Sequence, residues 1–220
     1  MIKPGTMHKY FPKNIRAKKK KRFGIGHVLM DKEGVEYRQI HESFSETYDL
    51  EPGLYVVLYD NAPTELCNII MSDTPMEIRT NREFIEKAHG DVLIAGLGLG
   101  IVVLSIQEKK EVESITVIEL YSELVDLVVP RIPLNGKVKI VTGDIFEWLP
   151  AEGQKFDTIY FDIWNDISGD NLPQTIMLHR RFKKYLNRKD NPEAWMNSWR
   201  RVDFRRMYFE GLSCSQSKML

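Results

Sequence analysis

The most constraining feature of the sequence is a ten-residue stretch, DVLIAGLGLG, at residues 91–100. Four consecutive apolar residues at 92–95 predict a strand that is buried on both faces of a parallel sheet. Three glycines spaced two apart follow, at Gly96, Gly98 and Gly100. Because glycine has no side chain and adopts positive φ, such a turn lets the backbone approach a ligand closely. The spacing departs from the dinucleotide fingerprint GxGxxG. Taken alone, the turn is therefore also compatible with a connection from strand to helix that binds no ligand.

Three further apolar segments end in acidic or glycine residues. Residues 114–120 place Glu119 near the tip of a second strand, residues 138–141 run into Gly143 and Asp144, and residues 156–162 end at Asp162. The carboxyl ends of parallel strands share one edge, which is where open α/β sheets bind ligands. We therefore expect these groups to line one crevice, with the acid of the second strand placed for a ribose diol.

Residues 91–162 resemble the core of class I S-adenosylmethionine-dependent methyltransferases, and among these they most resemble the spermidine synthase branch. The resemblance implies a glycine loop at the methionine-like tail, a ribose-binding acid, a Gly-Asp pair at the adenine and an Asp at the reacting centre. It assigns cofactor binding to the following residues: Gly96, Gly98, Gly100, Glu119, Leu120, Asp144, Ile145 and Asp162. Asp162 is also the candidate catalytic carboxylate, with Asp166 or His179 in support.

Two departures from that family matter. Leu99 stands where the family has an Asp that contacts the amine-bearing end of its ligand. After Asp162 the sequence shows neither the Pro-Gly-Gly turn of the family nor further alternating apolar segments. We therefore expect a truncated or replaced C-terminal part that lacks strands five to seven.

The fold expected is α/β, with a Rossmann-like parallel sheet in the order 3-2-1-4. Residues 1–30 are predicted to be a basic, flexible arm, and residues 31–74 a small antiparallel β region that includes a strand at 35–40. Residues 75–170 form the predicted core, and residues 171–220 a helical cap whose last helix runs from 193 to 209. A helix that begins near Pro75 either brings Glu77 to the crevice or uses it only as a partner for the helix dipole.

Composition limits the partners of the chain. Lys plus Arg equals Asp plus Glu at 31 each, so no overall charge recruits nucleic acid or anionic membrane. No apolar run approaches the roughly 18 residues of a membrane helix, so a cytoplasmic protein without membrane association is expected. Neither of the two cysteines forms a metal motif, and no metal is expected. The cationic run between Lys13 and Arg22 is predicted to be a solvated tail, with nucleic acid contact as the alternative.

The predicted function is binding of S-adenosylmethionine with transfer of its methyl group to a small acceptor. One alternative is aminopropyl transfer from decarboxylated S-adenosylmethionine, against which Leu99 argues. Another is a non-catalytic nucleoside-binding or partner-binding protein. A four-stranded sheet would leave an uncovered apolar edge, so a homodimer is expected.

Overall fold

The computed structural model describes residues 2–15, 22–41, 50–61 and 68–217. Most of the cationic run between Lys13 and Arg22 lies outside these residues, as does Cys67. A three-stranded antiparallel sheet, in the order β1-β2-β3, precedes a five-stranded parallel sheet. The strands of the first sheet are β1 (Phe23–Met30), β2 (Gly53–Asp60) and β3 (Asn68–Ser72). The strands of the second are β4 (Gly90–Ala95), β5 (Val112–Glu119), β6 (Val138–Thr142), β7 (Thr158–Phe161) and β8 (Trp195–Ser198).

Helices cover the strands and connect them. They are α1 (Lys32–His41), α2 (Pro75–Thr80), α3 (Arg82–Lys87), α4 (Ile101–Ile106), α5 (Ser122–Val128), α6 (Leu172–Phe182) and α7 (Arg201–Ser217). All six residues of α4 are buried, as expected for a helix that follows the glycine turn and packs inside the fold. Within the described ranges, no helix has the length and apolar character needed to cross a membrane.

The parallel sheet has a fifth strand that the sequence analysis missed. Its order is β6-β5-β4-β7-β8, with β8 paired in parallel to β7. The predicted helix over 193–209 is therefore wrong in its first part, because residues 195–198 form β8 and α7 begins only at Arg201. The Trp195 ring lies over Phe84 and Tyr160, at centroid distances of 6.4 and 6.2 Å. Since β8 covers the edge of β7, the reason for expecting a homodimer no longer holds.

The N-terminal region also differs from the expectation. Residues 23–30, predicted to lie in a flexible arm, form β1 along the full length of β2. Met7 and Phe11, from the same predicted arm, are fully buried in the core that joins the two sheets. Residues 35–40, predicted to form a strand, lie in helix α1. The N-terminal residues are thus part of the packed fold.

Candidate functional site

The register of the parallel sheet brings the tips of β4, β5 and β7 to one level. Ala95 pairs with Ile118 on one side and with Phe161 on the other, so Gly96, Glu119 and Asp162 follow at neighbouring positions. Backbone hydrogen bonds continue past the strand ends, from Gly96 N–H to the Ile118 carbonyl at 2.9 Å and from Asp162 N–H to the Ala95 carbonyl at 2.8 Å. The strand order reverses between β4 and β7, which is where open α/β sheets form a ligand crevice.

The turn after β4 requires glycine at its first two glycine positions. Gly96 has a φ of 98° and Gly98 a φ of 52°, both in the left-handed region. A Cβ atom at Gly96 would overlap the backbone carbonyl oxygen of Asp162, and one at Gly98 would overlap the sulfur of Met71. The Leu99 amide donates a hydrogen bond to that sulfur, at 2.9 Å. The N-terminal sheet, through Met71 of β3, therefore packs directly on the glycine turn.

A cavity of about 510 Å³ lies over these strand tips. It is lined by residues of both sheets and of the loops after β4 to β8. Its lining includes one guanidinium, from Arg22, among the described residues. The carboxyl side chains that line it are Asp60, Glu77, Glu119, Asp144 and Asp162. This excess of carboxyl groups favours a cationic ligand.

Glu119 links the glycine turn to the tip of its own strand. Its Oε2 accepts a hydrogen bond from the Leu97 amide and its Oε1 accepts one from the Tyr121 amide, each at 2.9 Å. The side chain is 5% exposed, and burial raises its pKa although the two amides oppose the shift. The carboxylate therefore both lines the cavity and holds the backbone around it in place.

Glu77 and Asp162 form an acidic pair on the cavity wall. Burial raises the pKa of both carboxyl groups, and the charge of Asp162 raises that of Glu77 further. Asn81 Nδ2 donates to the Glu77 carbonyl at 3.0 Å and to its Oε1 at 3.4 Å, while Asn81 Oδ1 accepts from the Tyr160 hydroxyl at 2.9 Å. A pair of this kind, with Glu77 buried and Asp162 half-buried, can accept a proton near neutral pH or bind a cation.

Most of the residues predicted for the site line this cavity. They are Gly96, Gly98, Glu119, Leu120, Asp144, Ile145 and Asp162. Gly100 instead stands at the N-terminus of α4, where a Cβ atom would overlap the side chain of Ile132. The part that each of these residues plays in cofactor binding stays a prediction.

Two of the predicted supporting residues lie away from the cavity. Asp166 is exposed in the loop after β7, where its carbonyl and Oδ1 accept hydrogen bonds from Asn171. His179 Nε2 lies 2.8 Å from Ser198 Oγ, so the imidazole joins α6 to β8. Burial, assisted by the charge of Arg201, lowers its pKa to about 4. Neither residue lines the cavity that contains Asp162, and their support of catalysis stays a prediction.

Several lining residues from outside the strand tips were not predicted from the sequence. Arg22 and Asp60 reach the cavity from the ends of β1 and β2, and Met71 reaches it from β3. Trp199 follows β8, and its indole Nε1 donates to Thr80 Oγ1 at 3.0 Å. Glu77, for which the sequence left the crevice and a role at the helix dipole open, lines the cavity.

The chain is thus an α/β protein with a cavity at the carboxyl edge of a parallel sheet. No protein-family model and no curated protein matches the sequence. Among the residues that the structure describes, no group of three or more His, Cys, Asp or Glu side chains is arranged to hold a metal.

Three solved structures with partial similarity are all methyltransferases. The CcbJ methyltransferase from Streptomyces caelestis is 18% identical over 50% of this chain and 45% of its own, with a TM-score of 0.39. The N-methyltransferase NodS from Bradyrhizobium japonicum WM9, in complex with S-adenosyl-L-homocysteine, is 13% identical over 50% and 56%, with a TM-score of 0.39. A methyltransferase from Clostridium acetobutylicum ATCC 824, dependent on S-adenosylmethionine, is 20% identical over 50% and 42%, with a TM-score of 0.34. Each match spans less than two thirds of the length of the solved methyltransferase.

Proposed function

We propose that the cavity binds S-adenosylmethionine and that the protein transfers the methyl group to a small amine. The observation on which the proposal rests is the meeting of the glycine turn, Glu119 and Asp162 at one sheet edge, at the reversal of strand order. That arrangement offers a close backbone approach, a carboxylate for a ribose diol and a carboxyl group at the opposite wall.

The residues present fit such a ligand. A Cβ atom at Gly96 would overlap the Asp162 carbonyl oxygen, so glycine lets the turn lie directly against the strand tip that carries Asp162. Asp144 Oδ1 accepts a hydrogen bond from the Phe146 amide at 2.8 Å, and this bond fixes the carboxylate just after β6. In this proposal Asp144 and Ile145 contact the adenine, and Glu119 binds the ribose.

The electrostatics of the cavity suit a cation near Glu77 and Asp162. Burial raises the pKa values of these two carboxyl groups, which means that ionising them costs free energy. A positive charge between them lowers that cost. S-adenosylmethionine supplies a sulfonium with an electrophilic methyl group. An amine acceptor must also lose a proton, and a carboxylate with a raised pKa is the better base. Asp162 is the proposed proton acceptor, and Glu77 is a second carboxyl group whose own pKa the charge of Asp162 raises.

A second candidate is aminopropyl transfer from decarboxylated S-adenosylmethionine. The same acidic lining favours it, because the only guanidinium among the described lining residues, Arg22, is already paired with Asp60. A ligand without a carboxylate avoids repulsion by the acidic groups. Leu99, which does not supply the acid expected for that reaction, favours methyl transfer.

Product analysis distinguishes these functions. The protein is incubated with S-adenosylmethionine, or with its decarboxylated form, and a mixture of small amines, and the nucleoside product is identified by mass spectrometry. S-adenosylhomocysteine indicates methyl transfer, whereas methylthioadenosine formed from the decarboxylated donor indicates aminopropyl transfer. Asp162→Asn is the matched variant, and we expect it to lose turnover while keeping nucleoside binding. Turnover equal to that of the wild type in Asp162→Asn would exclude the proposed role of this carboxylate.

A further inference from the structure

The N-terminal sheet contributes one guanidinium to the cavity. Arg22 immediately precedes β1, and Asp60, the last residue of β2, pairs with Phe23 in the sheet register. The Arg22 Nε and Nη2 atoms lie 2.7 and 2.6 Å from Asp60 Oδ2. The Asp60 side chain is 6% exposed and that of Arg22 41% exposed. The buried carboxylate thus holds a guanidinium that keeps a large accessible surface.

Aromatic contacts place this guanidinium beside the tip of β5. Its Cζ lies 4.4 Å from the centroid of the Tyr121 ring. The rings of Phe23 and Tyr121 are 5.0 Å apart, and the Phe23 amide donates to Glu123 Oε1 at 3.2 Å. The Tyr121 amide also donates a hydrogen bond to Glu119 Oε1. Arg22 therefore belongs to the same end of the cavity as Glu119.

The chemistry of the side chain suits this position. Only two of its three nitrogens bind Asp60, and the guanidinium lines the cavity. A planar guanidinium fixed in orientation can stack on an aromatic base and donate to a ring nitrogen or a ribose oxygen. The contacts with Asp60 and Tyr121 hold it in place before a ligand binds, which reduces the entropic cost of binding.

We propose that Arg22 binds the adenosine part of the ligand, so that the nucleoside site is shared between the two sheets. This inference rests on the proposed function. Arg22 and Glu119 then contact the nucleoside from different sheets, while Glu77 and Asp162 contact the sulfonium end. Arg22, which falls within the predicted arm, is accordingly required for ligand binding.

The test compares two nucleosides that share adenosine but differ in the amino acid tail, S-adenosylhomocysteine and methylthioadenosine. Loss of one or two charge-assisted contacts in Arg22→Gln should weaken both ligands by about tenfold or more, with the ratio of their affinities unchanged. Arg206→Gln is the matched control, because Arg206 pairs with Asp203 on α7 and does not line the cavity. We expect it to bind both ligands as the wild type does.

A second variant guards against misfolding. Arg22→Gln leaves Asp60 buried beside a neutral partner, whereas the double variant Arg22→Gln/Asp60→Asn removes both charges and should show the same loss of affinity. Unchanged affinity in either folded variant would overturn the inference, as would a loss confined to S-adenosylhomocysteine, which would place Arg22 at the amino acid tail. If the wild type binds neither nucleoside, the proposed function fails, and this inference fails with it. If the wild type binds and the variants match it, only this inference fails.

Discussion

The carboxylate of Glu119 accepts a hydrogen bond from the Leu97 amide at 2.9 Å and thereby joins the tip of β5 to the glycine turn after β4. Replacement by alanine leaves the buried amides of Leu97 and Tyr121 without this acceptor, so we expect Glu119→Ala to lower the free energy of unfolding by about 1 to 3 kcal/mol per amide. Glu119→Gln keeps one acceptor oxygen and should be the more stable variant.

Both Glu119 variants should bind S-adenosylhomocysteine less tightly, with the loss of a charge-assisted contact to the ribose costing about 2 kcal/mol. Urea denaturation gives the stability and calorimetry gives the affinity. Glu119→Gln with full affinity would remove Glu119 from the proposed ribose site, whatever its stability.

The turn at Gly96 should not tolerate a side chain. Gly96 has a φ of 98°, and a Cβ atom there would overlap the Asp162 carbonyl. Gly153 is the matched control, because its φ of 78° is also left-handed but no atom lies within 4 Å of its Cβ position. Gly153→Ala should cost about 1 to 2 kcal/mol of stability for the backbone conformation alone. Gly96→Ala should cost clearly more and should also reduce nucleoside affinity; equal costs for the two variants would contradict the described packing.

Phe11 should be essential to stability although it lies in the predicted arm. Its side chain is fully buried, so Phe11→Ala should lower the free energy of unfolding by about 3 to 5 kcal/mol. Lys13→Ala, at an exposed position two residues further on, should have no measurable effect. Thermal and urea denaturation of both variants provide the measurement. If Phe11→Ala has the same free energy of unfolding as the wild type, residues 2–15 are a dispensable arm after all.

The acidic pair predicts a pH dependence of stability in the ligand-free protein. The pKa values of Glu77 and Asp162 are raised in the folded state, so their contribution to stability is complete below the ordinary carboxyl pKa of about 4 and is lost as pH rises through the raised values. Glu77→Gln removes one ionisable group and should gain stability relative to the wild type between about pH 5 and 8. Urea denaturation at both pH values checks this, with the exposed Glu113→Gln as control. A difference between Glu77→Gln and wild type that does not change with pH would refute the pairing.

His179 predicts the opposite dependence. Its pKa is lowered to about 4, so the imidazole is neutral in the folded protein at neutral pH. Its contribution to stability is present above the unfolded pKa of about 6.5 and is lost as pH falls towards 4. His179→Ala should be less stable than the wild type at pH 7, because Ser198 loses its partner, and the deficit should shrink at pH 5. Denaturation at both pH values tests this; a constant deficit would show that protonation of His179 does not matter.

The strand tips could be predicted from the sequence because each site residue there directly follows its own buried strand. Residues 92–95 and 159–161 are continuous segments of apolar and aromatic residues, and the parallel register then places Gly96 and Asp162 side by side without further information. Glu119 follows by the same argument from Ile118.

The remaining features depend on packing between distant segments. Trp195 and Trp199 are four residues apart, a spacing that fits one face of a helix but also one face of a strand, so four-residue β8 could not be recognised. Arg22 reaches the cavity only through the docking of the N-terminal sheet on the parallel sheet. The start of the helix that carries Glu77 could be predicted, whereas the choice between the crevice and the helix dipole depended on how α2 docks. No local pattern encodes that docking.

The most direct test of the account is a calorimetric titration of the full chain with S-adenosylhomocysteine near neutral pH, repeated with Glu119→Gln. The account predicts saturable binding of one nucleoside per chain, a matching rise in melting temperature and weaker binding by the variant. If millimolar S-adenosylhomocysteine produces no binding heat and no shift in melting temperature, the assignment of the cavity as a nucleoside site is contradicted.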